Sequence, residues 1–309
     1  MAPRPLIIDC DPGVDDAVAL ILAFAAPDLF DVLGVTTVAG NVNGALTARN
    51  ACVIRDLCGR DDVKIYAGAE RPLLAKPVEA GHFHGANGLG DLHFPAPRTS
   101  VEQESALAFL TRALAHAAPR SVDIAVTGPL TNIALLLRAA PNCAAAMARL
   151  VIMGGARSEG GNITASAEFN IYADPHAAAI VFASGLPIVA LGLDATHQVR
   201  TNPTRMAKLA AIANPRARAA HDLLRFSAGV ERHLAGRDGA PLHDPAVIAY
   251  LMAPHLFETV PAEIKVEAES TLTRGHTAVE FRVSAPRETQ WAVRVDDEGV
   301  FALLMERLA

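Results

Sequence analysis

The sequence predicts one α/β domain, residues 1–309, built on a mostly parallel sheet with helices between its strands. Short apolar runs alternate with longer helix-like segments from Leu6 to Leu193, the βα rhythm of a parallel sheet. The apolar runs stop at polar residues or glycine: Asp9 and Asp11, Asn41, Thr127, Gly154, Asp194. In open parallel sheets, ligands bind beyond the carboxyl ends of the strands, so these residues fall where a pocket belongs. The chain has 309 residues, 51% hydrophobic and 19% charged, which suits a sizeable core and excludes disorder.

In order, Leu6–Ile8 reads as a strand, Val14–Ala26 as a helix and Asp31–Val38 as a second strand ending at Gly40-Asn41. Leu46–Cys58 is helical and Val63–Ala67 extended. Periodicity then disappears from Pro72 to Thr99, where Gly, His and Pro accumulate. The stretch Gly81-His82-Phe83-His84-Gly85-Ala86-Asn87-Gly88-Leu89-Gly90 is too long for a simple connector and reads as a lid. Glu102–Ala117 is helical, Val122–Val126 a strand stopping at Thr127-Gly128-Pro129, and Leu130–Ala139 a helix. Leu150–Met153 is a strand, followed by a polar stretch from Arg157 to Asn170. The helix Asp174–Ser184 carries Pro175 at an early position. Pro187–Leu193 is a strand running into Asp194-Ala195-Thr196-His197, and Thr204–Ala213, Arg216–His233 and Ala246–Met252 are helices. Glu263–Val266, Thr277–Phe281 and Trp291–Val295 alternate as strands, and Glu298–Leu308 closes the chain as a helix.

The densest chemistry lies in Leu6-Ile7-Ile8-Asp9-Cys10-Asp11-Pro12-Gly13-Val14-Asp15-Asp16-Ala17. Side chains two apart on a strand point the same way, so Asp9 and Asp11 are expected to leave the strand end on one face. Pro12 and Gly13 turn the chain, and Asp15 and Asp16 fall in the first helical turn, where the macrodipole favours negative charge. A lone aspartate there would be a helix cap. Four converging carboxylates repel unless a cation sits among them, and a hard divalent ion takes such oxygen ligands.

Composition excludes several functions. A net charge of −6 with scattered Lys and Arg leaves no electrostatic footprint for nucleic acid, and 5% aromatic residues provide no stacking platform. Cys10, Cys52, Cys58 and Cys143 lack metal or disulfide spacing and fit a reducing compartment. No apolar run reaches membrane-span length, and the first strand follows Met1 too closely for a signal peptide. These features predict a soluble cytoplasmic protein.

The aspartate stretch, Val38-Ala39-Gly40-Asn41, Gly81-His82-Phe83-His84-Gly85, Thr127-Gly128-Pro129-Leu130-Thr131-Asn132, Glu168-Phe169-Asn170 and His243-Asp244-Pro245 together resemble the nucleoside hydrolases. Their inosine–uridine-preferring branch is the nearest group, and the likeness runs in order from Ile8 to the last helix. D-x-D-P-G-x-D-D carries most of the specificity. The resemblance implies an open, mainly parallel α/β sheet, a homodimer or homotetramer, and Ca²⁺-dependent cleavage of the N-glycosidic bond of ribonucleosides. It implies that Asp11, Asp16, the Thr127 carbonyl and Asp244 hold Ca²⁺, with Asp9 supporting them from behind. Asp15 would be the general base. Asn41, Asn162, Glu168 and Asn170 would hold the ribose, with Met153 at the pocket floor. His243 would stand near the nucleobase as leaving-group acid, and His82 in the mobile loop near the base.

The chemistry agrees. Departure of a base from ribose passes through an oxocarbenium-like cation, needing activated water on one face and help for the leaving group on the other. Glu168 and Asn170, at i and i+2, share a face if the chain is extended there. His84 is either an ordinary loop residue or a pocket residue beside His82, and no third ligand makes the two a zinc site. The helix before His243 carries Arg232 and His233 but no Tyr or Trp, so base preference stays open, with a slight pyrimidine lean from Gly239-Ala240-Pro241-Leu242-His243-Asp244. Two other readings exist: a dehalogenase-like phosphatase using Asp9 and Asp11, which would need a suitably placed lysine, and a Ca²⁺-dependent nucleoside sensor without turnover.

Overall fold

The computed structural model describes residues 2–282 and 288–309. The chain begins with β1 (Arg4–Cys10), α1 (Val14–Phe24), β2 (Phe30–Thr37), α2 (Gly44–Leu57), β3 (Ile65–Ala67), α3 (Gly81–His84) and α4 (Ala106–Ala115). It continues through β4 (Val122–Val126), α5 (Thr131–Ala139), β5 (Met147–Met153), α6 (Phe169–Ala173), α7 (Pro175–Phe182), β6 (Ile188–Leu191) and α8 (Leu193–Thr196). The remainder is α9 (Pro203–Ala210), α10 (Pro215–Ala235), α11 (Asp244–Met252), β7 (Phe257–Pro261), β8 (Glu263–Val266), β9 (Thr277–Glu280), β10 (Thr289–Val295) and α12 (Asp297–Leu308).

Eight strands form one sheet in the order β3-β2-β1-β4-β5-β6-β10-β7. Every neighbouring pair is parallel except β10 with β7. The first three strands are laid down in one direction from β1, and β4, β5 and β6 in the other. The order therefore reverses between β1 and β4, and a crevice opens at their carboxyl ends. Asp9 pairs with Thr36 on one side and Val126 on the other, so Asp11 and Thr127 emerge side by side at that reversal.

Alternation along the strands divides the core in two. Leu6 and Ile8 of β1 pack on one face with α1 and α11, whereas Ile7 joins Ile124, Val126 and Ile133 on the other. Helix α1 is buried all round except at Asp15, packed between the sheet and α2, α10 and α11. Leu20, Ile21, Leu22 and Phe24 are shielded from water, each worth about 1.5–3 kcal/mol relative to exposure. That burial clamps the first turn of α1, and with it Asp15 and Asp16, beside the strand ends.

The α/β class and the mostly parallel sheet agree with the sequence reading, and several details differ. Helix α4 starts at Ala106, because Ser105 caps it through the Ala108 N–H, and Glu102 instead bridges to Tyr66. Strand β5 begins three residues early, at Met147. Strand β7 was not expected; it lies antiparallel at the sheet edge and ends in proline. Strands β8 and β9 pair only with each other. Among the described residues, no helix is long and apolar enough to cross a membrane.

Candidate active site

The turn from β1 into α1 places four carboxylates at the crevice. Asp16, in the first turn of α1, reaches back to the Gly13 N–H at 3.1 Å, a capping contact, while its other oxygen accepts from the Asp11 N–H at 3.3 Å. Thr127 donates its hydroxyl to Asp16 at 2.7 Å, and the Asn41 amide donates to it at 2.9 Å. Asp11 accepts from the Asn41 N–H at 2.8 Å. The backbone crowds it so closely that a Cβ at Gly40 would lie 2.1 Å from Asp11 Oδ2, and one at Gly128 2.7 Å from Oδ1. Asp244, at the start of α11, completes the group: carboxylate oxygens of Asp15, Asp16 and Asp244 lie within 4.8 Å of one another.

These acids are short of positive charge. Asp11 Oδ1 and Asp15 Oδ1 are buried without a hydrogen-bond partner among the described residues. Burial, then repulsion from Asp16, raises Asp11 well above the carboxylate range, and burial and the facing Asp15 do the same to Asp244. Burial also lifts Asp16, to about 6, against the hydrogen bonds it accepts. Asp9 holds different partners from Asp11: the Thr36 hydroxyl and, at 2.8 Å, the Asn132 amide, with burial lifting it to about 6. These carboxylates offer hard oxygen atoms only, Asp9 Oδ2 being orphaned as well as those of Asp11 and Asp15, and this donor set fits Ca²⁺ or Mg²⁺.

The opposite wall comes from the polar stretch after β5. The extended geometry expected for Glu168 and Asn170 is not what forms: Glu168 caps α6 and Asn170 lies in its first turn. Glu168 accepts three backbone N–H groups, from Asn170 at 2.9 Å, Gly155 at 3.1 Å and Ile171 at 3.2 Å, and burial still raises it to about 7. Asn170 donates to the Thr127 carbonyl at 2.7 Å and the Met153 carbonyl at 3.2 Å, tying the ends of β4 and β5 together. Asn162 accepts from the Phe169 N–H at 2.9 Å, which folds its loop over α6.

Asp15, Asn41, His82, Thr127, Met153, Asn162, Glu168, Asn170, His243 and Asp244 all line one cleft. It is a concave cleft with mixed polar and apolar walls, the general character of a small-ligand site. Asp9, Asp11 and Asp16 lie behind its wall. Phe83, Phe169, His197 and Glu231 also line the cleft and were not singled out from the sequence. For His197, the strand-end rule was the available signal, because it follows β6 by one turn of α8. Asp194, by contrast, accepts the Arg157 and Ser158 N–H groups, both at 2.7 Å, and anchors the loop that leads to Asn162.

The histidines divide by partner. His84 is buried and accepts the Val14 N–H at 3.1 Å through Nδ1, capping α1; burial holds it down at about 4. It also lines the cleft, with Nδ1 3.9 Å from Asp15 Oδ1, and His82 is the exposed member of the pair. His243 has Nδ1 2.8 Å from the Thr196 hydroxyl, and burial, with the nearby His197 and Arg200 side chains, pushes it to about 3. Neutral, it carries one N–H.

A cluster of buried carboxylates facing a cleft at a sheet reversal is the layout of an enzyme active site. The model of the family described as inosine-uridine preferring nucleoside hydrolase matches residues 6–302, and the chain belongs to that family. It is accordingly an enzyme, a ribonucleoside hydrolase acting on N-glycosyl compounds. The chain is 42% identical to the pyrimidine-specific ribonucleoside hydrolase RihA of Salmonella gallinarum, with 98% of each chain covered. It superposes on a plant nucleoside hydrolase, PpNRh1, with a TM-score of 0.92 at 31% identity and 99% of each chain covered. The purine-preferring ribonucleoside hydrolase from Gardnerella vaginalis gives a TM-score of 0.92 at 33% identity, over 99% of this chain and 98% of that one. Membership of this family removes the phosphatase reading.

Proposed function

We propose that the protein is a Ca²⁺-dependent ribonucleoside hydrolase that releases free base and ribose, with pyrimidine ribonucleosides first among its substrates. The observation that carries the reading is the pair of orphaned oxygens on Asp11 and Asp15, within a carboxylate group that faces a cleft walled by Asn162, Glu168 and Asn170. Asp11, Asp16, Asp244 and the Thr127 carbonyl would hold the ion, with Asp9 behind them. Bound there, Ca²⁺ offsets the buried negative charge and makes water more acidic.

Asp15 is the general base: its unpartnered oxygen takes the proton of the attacking water. Asn41, Asn162, Glu168 and Asn170 receive the ribose hydroxyls, with Met153 beneath the ring, and fix C1′ for attack. Glu168 keeps lone pairs free beyond the three N–H bonds it accepts. As C1′ gains positive character, these carboxylate and carbonyl dipoles stabilise it. His82 and His243 stand at the base end, and His243 offers its N–H to the leaving group. The pyrimidine preference rests on the RihA likeness and on the segment Gly239-Ala240-Pro241-Leu242-His243-Asp244. The enzyme acts as a cytoplasmic homodimer or homotetramer, checked by light scattering.

The test is release of reducing sugar from uridine, cytidine, inosine, adenosine and guanosine, each with Ca²⁺ and with excess chelator. Metal-dependent release, fastest on uridine or cytidine, is the expected result. Binding of nucleoside and Ca²⁺ without any free base over hours would replace the reading with a nucleoside sensor.

A further inference from the structure

Beside His243, the base end of the cleft holds a second imidazole with a different set of partners. His197 follows α8, lines the cleft, and has Nδ1 2.9 Å from Glu159 Oε2. A carboxylate at that distance accepts a hydrogen bond, so Nδ1 carries the proton and Nε2 is the ring's uncommitted nitrogen. The His197 and His243 ring centroids are 5.6 Å apart, tilted by 56°. One short helix sets both rings, because Thr196 holds His243 at Nδ1 and the next residue is His197. An imidazolium at His243 would meet a hydroxyl; at His197 it would meet a carboxylate. The other charged groups on this wall, Glu231 and Arg200, pair with each other at 2.9 Å.

The His197 side chain is 18% exposed and that of Glu159 44%, so the pair sits at the cleft mouth, where protons exchange with water. An ion pair this exposed contributes at most about 1 kcal/mol to folding. Its stabilising value to the fold is small, which leaves its place in the cleft to be accounted for by function.

We propose that His197, oriented by Glu159, donates a proton from Nε2 to the departing nucleobase, which His243 holds by a hydrogen bond. The inference rests on the hydrolase reading above. As the C1′–N bond breaks, its electron pair passes to the base, which takes the His197 Nε2 proton. The imidazole is left neutral with Nδ1–H still directed at Glu159. The proton of the attacking water goes to Asp15, and solvent exchange restores both groups.

The test compares kcat/KM on uridine with kcat/KM on 4-nitrophenyl riboside, whose leaving group departs as a stable anion without a proton. Both are measured on the Ca²⁺-loaded full chain, for wild type, His197→Ala and Glu159→Gln. Loss of a positioned acid is worth about 10²-fold or more. The expected result is a fall on uridine at least about tenfold larger than the fall on the aryl riboside in His197→Ala, with a smaller shift of the same sign in Glu159→Gln. Equal falls on both substrates would show that the pair only holds the loop carrying Asn162, and no fall would remove it from the reaction; either overturns the proposal. If His197→Ala does not fold, the ratio in Glu159→Gln decides. A wild type inactive on both substrates refutes the hydrolase reading, whereas an active wild type with an unchanged ratio refutes this inference alone.

Discussion

Glu168→Gln separates two opposing effects at one buried carboxyl. In the wild type, the Glu168 oxygens accept three backbone N–H groups, so the charge is well bonded, yet burial raises it from 4.5 to about 7. The folded chain binds the proton more tightly than the unfolded chain. The contribution of this group is therefore full below pH 4.5 and declines as pH rises toward 7, by about 3 kcal/mol in total. Glutamine has no such dependence. Its single oxygen can serve the two donors at Oε2, while its NH₂ group faces the Asn170 N–H and orphans it, at about 1–3 kcal/mol. The variant should thus be less stable than wild type at pH 5, and the gap should close or reverse by pH 8. Urea unfolding of both proteins with Ca²⁺ absent, at pH 5, 6, 7 and 8, reads the difference directly, because every other group titrates in both. A gap independent of pH, or one widening toward pH 8, would refute the burial argument. Activity should fall in the variant above pH 7, where the wild-type carboxyl is ionised and the ribose loses a charged acceptor.

Asp15→Asn should lower kcat by about 10²–10⁴-fold with no loss of thermal stability, because it removes a base whose oxygen has no partner; stopped assays with a melting curve check both. Asp11→Ala and Asp16→Ala should weaken Ca²⁺ binding as well as rate, seen by calorimetric titration, and unchanged affinity in both would contradict the ligand assignment. Ca²⁺ at a hundredfold excess over its Kd should stabilise the wild type by about 3 kcal/mol, read as a melting-temperature rise that chelator reverses. Gly13→Ala should destabilise by about 1–3 kcal/mol, since its Cβ would lie 2.5 Å from His84 Nδ1 and 2.7 Å from Asn41 Nδ2, and denaturant unfolding measures it.

What the sequence revealed depended on how local the determinant was. The β1–α1 turn was legible because one short segment supplies strand, turn, cap and carboxylates together. Asp244, remote in sequence, was reached only through a motif. Glu168 and Asn170 were found as residues but given the wrong backbone, because a five-residue helix leaves no periodicity to detect. Strand β7 is short, half-exposed and ended by proline, and only its antiparallel partner β10 makes it a strand. Glu231 meets the cleft, and Glu159 meets His197, through tertiary packing alone, and nothing in their neighbourhoods marks them.

The contact between His84 and the Val14 N–H reaches across 70 residues and joins the long loop to the helix bearing Asp15 and Asp16. Swinging Gly81–Gly90 away as one piece would strip α1 of its first cap and leave a buried donor orphaned, at about 1–3 kcal/mol. A fully displaced loop is therefore held to a minor population, and thermal motion is directed into the exposed part around His82. The Val14 amide becomes a clock for the larger movement: its hydrogen exchange can proceed only as often as the imidazole lets go.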